Sequence, residues 1–563
     1  MKHMWKVGAA IAVIALFFMA NIWVQAVDIR GTYEKAKEKA KGGVAYVKDT
    51  ATEAKNRVVG AVSGGVQYIM GEPTAVRINP YKDTVARLRV GNELNVHERE
   101  FLAKRQPKVK RALEKMLDRS LDGKFVPTIA IVASGGGYRA MLGTIGGLLA
   151  AERIGLLDAT TYVTGLSGGT WAIAPWISTG MSVQGYKKYI QDTIKKDIHV
   201  SSVGEAKNII DMLAVKLAFD EPITTVDIYG GLLANRLLNQ YGSDAQRIYL
   251  SQQSERVKNA DVPYPIYTAI DARQAVAYEP HWFEYTPHEI GSPYFGVYVP
   301  TWAYGRLFNN GQSVNFAPEQ SLGFLMGTWG SAFGVHFGRA WDEVVEKVPG
   351  TIIKGMIEKK FIEAHGGKRI NTSWAEIFNF MFGVSDQELA LRKTLKFVDA
   401  GIDFNLPYPP VSGERPERQA DIMVFLDFSG GSLAQGMRKT EEYARRKGLK
   451  FPKVDYTNLE KKAMSIFMDP TDPSVPVIIY FPRVSEKGLW EKHKSNSEFK
   501  RYRSIENFDF TKCTNESGGV CGTPYFKYSS ENSEKLIDQM EFNVMIHKDE
   551  VIKTINYVID QKS

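Results

Sequence analysis

TIAIVASGGGYRAMLG, residues 128–143, decides the fold. Thr128 to Ala133 is a short apolar run rich in β-branched residues, bounded by Pro127 on one side and three glycines on the other. That pattern reads as a strand buried on both faces. From Tyr138 to Ile154 the apolar spacing changes to a helical one. A buried strand running through a glycine turn into a helix is the opening of a βα unit. Backbone N–H groups at such a turn point outward and form an anion site.

Four more runs repeat the strand pattern: Tyr162 to Thr164, Ile266 to Ile270, Ile422 to Leu426 and Val477 to Tyr480. Helical patterns separate several of them. HEREFLAKRQPKVKRALEKML, residues 97–117, reads as a helix with a break at Pro107. Alternating buried strands and helices give an α/β fold, with three α/β/α layers around a mixed, largely parallel sheet. The long stretch between Asp271 and Ala420 is expected to form a cap over one end of the sheet.

The second strand runs into Gly165-Leu166-Ser167-Gly168-Gly169. This fits G-x-S-x-G, in which a serine sits on a tight strand-to-helix turn with small neighbours that admit substrate. The pattern occurs often by chance and would otherwise be a plain glycine turn. Its place directly after a strand, one βα unit beyond a turn able to donate to an oxyanion, makes it a nucleophile elbow. Gly135, Gly137 and Ala140 also satisfy the dinucleotide fingerprint G-x-G-x-x-A. That reading, an oxidoreductase, needs an acidic residue at the end of the next strand. Leu166-Ser167 stands there instead.

A serine nucleophile needs a base. None of the nine histidines lies in a motif that singles it out, and no H-E-x-x-H or C-x-x-C marks a metal site. The carboxylate that ends the strand ADIMVFLD, Asp427, lies at the carboxyl edge of the expected sheet, where α/β sites are built. Its bland alternative is an Asp capping the next turn.

SGGGYRAMLG, GLSGGTW and DFSGG, in that order, resemble the catalytic domain of cytosolic phospholipase A2 and the related fungal phospholipase B enzymes. WFEYTPHEIGSPYFGVYVPTWAYG, LGFLMGTWGSAFG and DAGIDFNLPYPP extend the resemblance, which runs from about Leu94 to near the C-terminus. It implies a Ser–Asp dyad without a catalytic histidine, and a fatty-acyl ester of a glycerophospholipid as substrate. Carried over, Ser167 is the nucleophile, Asp427 the base, Gly136 and Gly137 the oxyanion-hole donors, and Arg139 the arginine that holds the substrate phosphate. No metal or other cofactor is implied. Gly430-Gly431-Ser432 lacks the arginine and proline many relatives carry after the aspartate.

The chain has 563 residues, 44% of them hydrophobic, and a net charge of +8. Such a composition is that of a folded protein. The charge is modest for this length, and without zinc-finger spacing, an RNP-like motif or a long basic block it gives no nucleic-acid reading. Lys2 and Lys6 precede an apolar run, Val7 to Val27. It is long enough to span a bilayer, which takes about 20 residues. Residues 1–30 are therefore expected to be a membrane anchor; as a cleaved signal they would instead give a secreted or periplasmic protein. In residues 31–72, Ala36, Val47, Val58 and Ile69 recur eleven apart among lysines. That spacing gives a basic amphipathic helix suited to an anionic membrane surface, or else a solvated linker. Residues 73–563 form the catalytic body. An inactive protein that merely tethers membranes would show the same N-terminal features. Cys513 and Cys521 either close a short loop or stay reduced.

Overall fold

The computed structural model describes residues 74–273, 280–332, 344, 347, 374–384, 388–515 and 521–563. The expected anchor and basic helix, residues 1–72, lie outside them. Among the described residues no helix is long and apolar enough to cross a membrane. The compact unit that carries the site comprises Pro73–Lys216 and Glu221–Ser563.

Six strands position the site: β1 (Ile129–Ala133), β2 (Tyr162–Gly165), β3 (Tyr264–Asp271), β4 (Thr394–Asp399), β5 (Ile422–Asp427) and β6 (Val477–Pro482). Helices α1 (Val96–Leu117), α2 (Gly137–Arg153), α3 (Gly168–Thr179), α4 (Leu322–Trp329), α5 (Leu433–Arg446) and α6 (Ser530–Ile546) pack around them. The centre of the sheet runs β6-β5-β1-β2-β3, every neighbouring pair parallel. At β3 the pairing turns antiparallel: Trp282–Tyr285 pairs on its outer edge, and β4 pairs on the edge it shares with β2, past the end of that strand. The expected α/β fold with a mixed sheet and a parallel centre is the one observed.

The five predicted strands are all present; β1 starts one residue later than its run, and the other four are one to three residues longer than theirs. Every residue of β1, β2, β3, β5 and β6 is buried, as continuous apolar runs require. One face packs Val132, Ile266, Phe425 and Tyr480 against Phe101 of α1 and Met437 and Tyr443 of α5. The other carries α2, which packs on α3 and α6. Gly147 of α2 has no room for a side chain because Leu426 of β5 fills it.

Two expectations need correction. α1 runs unbroken through Pro107. Pro107 and Ala103, whose carbonyl loses its i→i−4 donor, both face solvent, where water replaces the missing bond. The stretch between Asp271 and Ala420 is not all cap: its described part adds Trp282–Tyr285, Glu289–Ser292, Val297–Pro300 and β4 to the sheet, and supplies α4. Residues 333–343, 348–373 and 385–387 of the expected cap lie outside the described residues.

An ionic cluster ties α1 to the sheet. Arg418, fully buried, donates to both carboxylate oxygens of Glu98 at 2.8 and 2.7 Å and to Glu284 at 2.5 Å. Arg415 pairs with the same Glu284. Tyr162 OH adds a hydrogen bond to Glu98 at 3.0 Å.

Candidate active site

Ser167 is the second of the two residues between β2 and α3, with φ 47° and ψ −121°. A non-glycine residue there is strained, and the turn persists because strand and helix fix both its ends. Ser167 O accepts from Thr170 N–H at 2.9 Å and Thr170 Oγ1 at 2.6 Å, which closes the turn and starts α3. Ser167 is 2% exposed.

The glycine turn after β1 lies against this elbow. A methyl group on Gly168 would collide with Gly137 O, and one on Gly135 would stand 2.8 Å from Ser167 Cβ. Gly136 (φ 137°) and Gly137 (φ 62°) hold a backbone that L side chains rarely adopt. Gly136 caps α2 and Gly137 is its first residue, so their N–H groups have no partner within the helix. No described residue accepts from either. Two free donors thus stand at a helix N-terminus beside the serine, the arrangement an oxyanion hole requires.

The carboxylate that meets Ser167 is Asp399, the last residue of β4. Its side chain is hydrogen-bonded to Ser167 and accepts from the Gly401 and Ala332 N–H groups, the former at 2.8 Å. Burial pushes the Asp399 carboxyl up from 3.8 to about 6, and these three hydrogen bonds act in the opposite direction. Asp399 N–H donates to Ser331 Oγ at 3.1 Å, which fixes the strand end.

Asp427 does not meet Ser167. It lies on β5, on the far side of β1 from the elbow, level with Ser134 through the pairing of Leu426 with Ala133. Its Oδ1 accepts from Ser429 N–H at 2.9 Å and Ser429 Oγ at 2.5 Å, and its Oδ2 accepts from Tyr480 OH at 2.8 Å. Strand β1 stands between Asp427 and the elbow, and these donors occupy both its oxygens. The sequence expectation for the base is corrected on that ground.

Arg139, on the first turn of α2, is fully buried. Its Nε donates to Phe428 O at 2.8 Å and its Nη1 to Cys521 O at 2.5 Å and Thr523 Oγ1 at 3.2 Å. Nη2 has no hydrogen-bond partner among the described residues. It points between Gly136 and Gly430: a methyl group on either would approach it, at 2.6 and 3.2 Å. Burial lowers the Arg139 pKa to about 10, so it keeps its charge at neutral pH. Cys513 and Cys521 form a disulfide with a Cα–Cα distance of 5.3 Å. That bond anchors the segment on which Arg139 rests.

The model of the lysophospholipase catalytic domain matches residues 129–460. The chain belongs to the lysophospholipase catalytic-domain family. Human cytosolic phospholipase A2 zeta is 27% identical over 527 residues, covering 81% of this chain and 60% of that protein. Human cytosolic phospholipase A2 epsilon is 25% identical over 546 residues, 84% of this chain and 61% of that protein. This chain thus spans about 60% of the length of these curated relatives. The solved structure of human GIVD cytosolic phospholipase A2 superposes with a TM-score of 0.69 at 24% identity, covering 84% of this chain and 68% of that one. A second structure of that enzyme, in complex with methyl gamma-linolenyl fluorophosphonate, gives 0.65 at 23% identity.

In this lysophospholipase-family chain, sequence reasoning located the elbow, the glycine turn and Arg139 and missed Asp399. The missing signal was in DAGIDFN: an aspartate followed two residues later by glycine, whose N–H the carboxylate caps. Ser331 and Asn405, which fix the surroundings of that carboxylate and of the glycine turn, lie within LGFLMGTWGSAFG and DAGIDFNLPYPP, where nothing local marks their roles.

Proposed function

We propose that this chain hydrolyses fatty-acyl esters of glycerophospholipids by acyl transfer, as a phospholipase A2 or lysophospholipase, with Ser167 as nucleophile and Asp399 as its base. The observation that carries the reading is the hydrogen bond between a serine on a strained elbow and a buried aspartate, with no histidine bonded to either among the described residues. Asp399 takes the Ser167 Oγ proton as the oxygen attacks the ester carbonyl. The tetrahedral oxyanion rests on the Gly136 and Gly137 N–H groups. As the intermediate collapses, the C–O bond to the glycerol breaks and Asp399 returns the proton to the leaving alkoxide. Water, deprotonated by Asp399, then attacks the acyl-serine and releases the fatty acid. A carboxyl near 6 is a stronger base than an ordinary aspartate and is still mostly ionised at neutral pH.

Arg139 Nη2 is the group available to a substrate phosphate, beside the oxyanion donors. Residues 1–30 as an anchor and 31–72 as a basic surface helix would hold the catalytic body, residues 73–563, on its substrate membrane. In support stand the family, the free amides and the fluorophosphonate complex of a structural relative.

A fluorophosphonate probe with a fatty-acyl-like chain should label Ser167, and Ser167→Ala should remove both label and hydrolysis. Asp399→Asn should cost several orders of magnitude in rate, and Asp427→Asn far less. An Asp427→Asn protein as inactive as Ser167→Ala, with Asp399→Asn still active, would return the base to Asp427.

A further inference from the structure

We propose that Asn405, backed by Ser429 and Asp427, is a positioning residue that aims the Gly136 N–H at the oxyanion. The inference rests on the reading of Gly136 as an oxyanion donor and goes beyond it, by naming what holds that donor in place.

The argument starts from one peptide unit. The Gly136 N–H belongs to the same planar unit as the Gly135 carbonyl, and in a trans peptide the two point in opposite directions. Whatever fixes Gly135 O therefore fixes the direction of the Gly136 N–H. Asn405 Nδ2 donates to Gly135 O at 3.0 Å, and Gly135 N–H donates back to Asn405 O at 3.4 Å. The second Nδ2 hydrogen goes to Ser429 Oγ at 2.8 Å.

The donor direction along the chain is forced. Tyr480 OH and Ser429 N–H both donate to Asp427. Ser429 Oγ donates to Asp427 Oδ1 as well, at 2.5 Å. With its proton committed, Ser429 Oγ can only accept from Asn405. An inverted Asn405 amide would set its oxygen against two acceptors, Ser429 Oγ and Gly135 O. The chain from Asp427 through Ser429 and Asn405 to Gly135 thus has one polarity. It ends by pulling electron density toward Gly135 O, which makes the Gly136 N–H a better donor.

The far end of the chain is rigid. Asp427 terminates a central strand and is fully buried. Phe428 N–H donates to Ser134 Oγ at 2.6 Å, and Arg483 Nε donates to Ser429 O. Gly136 itself, at φ 137°, is a residue whose backbone would otherwise be free to turn. Asn405 restrains it, together with Ser134 Oγ, which donates to Gly135 O at 3.2 Å.

The test uses the full chain, a phosphate-free chromogenic ester and the matching thionoester. Sulfur accepts hydrogen bonds weakly, so a thionoester draws little help from an oxyanion hole. Asn405→Ala should lower kcat on the ester about 10- to 100-fold with KM within about twofold, since an oxyanion donor acts in the transition state. The ester-to-thionoester ratio of kcat should fall by a similar factor. Ser429→Ala should do the same to a smaller extent, and stands in if Asn405→Ala fails to fold. An unchanged ratio in folded Asn405→Ala and Ser429→Ala, whatever their rates, makes the chain mere scaffolding and overturns the proposal. Ser167→Ala is the control. If it still hydrolyses the ester, the serine reading falls and this inference with it; if it is inactive while the ratio is unchanged, this inference alone falls.

Discussion

Ser167 and Asp399 stand at the same level of the sheet, on the same edge of β3. Gly165 pairs with Tyr267 in parallel, and Asp399 pairs with Ala269 in antiparallel. The serine two residues beyond Gly165 therefore comes level with Ala269 and hence with Asp399. Antiparallel β4 delivers a carboxylate to the edge where the parallel strands end. Its far side is closed by Ser331 and the Gly401 turn, so the carboxylate is buried and faces the elbow.

That burial sets a pH dependence. Only ionised Asp399 can take the serine proton, and its carboxyl lies near 6. kcat/KM on a soluble ester should therefore rise tenfold per pH unit below about 6 and level off above it. An ordinary exposed aspartate would put that midpoint near 4. A profile flat from pH 5 to 8 would show that the carboxylate does not serve as base.

The same shift predicts a stability change opposite in sign to the activity change. The folded state binds the Asp399 proton more tightly than the unfolded chain does, so wild-type stability is lost as pH rises from about 4 to about 6. Above that window the loss is complete, and about two units correspond to at most ~3 kcal/mol. Asp399→Asn removes the charge, so it should melt higher than wild type at pH 8 and approach it at pH 4. Denaturant melts at the two pH values read the difference. A variant less stable than wild type at pH 8 would contradict the account of Asp399 as a strained base.

How far the site was legible follows from where each signal sits. The elbow and the glycine turn announce themselves because glycines must crowd there: Gly168 against Gly137, Gly135 against Ser167. Parallel central strands are equally plain, as runs buried on both faces. Asp399 was hidden because β4 alternates, TLKFVD, with Thr394 and Lys396 half-exposed, and so lacks the apolar run that marked β5. The rule that sites lie past the carboxyl ends of parallel strands then favoured Asp427. Which carboxylate reaches the serine depends on β4 pairing with the β2 edge of β3, past the end of β2, while β1 separates β5 from β2; strand placement is a long-range property that no local pattern carries.

The Glu98–Arg418–Glu284 cluster makes a prediction about stability alone. Arg418→Met would leave the buried Glu98 carboxylate without its cation, and Glu284 with Arg415 alone, a loss of about 3–5 kcal/mol. Thermal melting should shift down by many degrees, and the folded remainder should keep its rate per active site, titrated with a fluorophosphonate. A drop in rate per titrated site would mean that the cluster also shapes the catalytic geometry.

The disulfide predicts an effect on rate as well as on melting. Closing so short a loop is worth about 2–3 kcal/mol in the chain-entropy model, yet Cys521 O is one of the acceptors that hold Arg139, and Thr523 O crowds Gly137. Cys513→Ser with Cys521→Ser should leave a cooperative melt and lower kcat several-fold. Equal rates with and without the bond would show that the segment keeps its place unaided.

Arg139 invites the sharpest test because it serves two masters. Nε and Nη1 hold Phe428, Cys521 and Thr523, and only Nη2 is left for substrate. A lysine offers one nitrogen where the guanidinium offers three, in a different geometry. Arg139→Lys should therefore slow a phosphate-free ester too, by at least about tenfold, because the segments that flank the oxyanion turn lose their common support. If Nη2 also holds the substrate phosphate, a phospholipid should suffer a further loss, about tenfold for a charge-assisted hydrogen bond. The quantity to measure is the ratio of the two losses, on mixed micelles for the phospholipid and in solution for the ester. Equal losses would confine Arg139 to the scaffold; a loss on phospholipid alone would mean that its contacts with Phe428 and Cys521 carry no weight in catalysis.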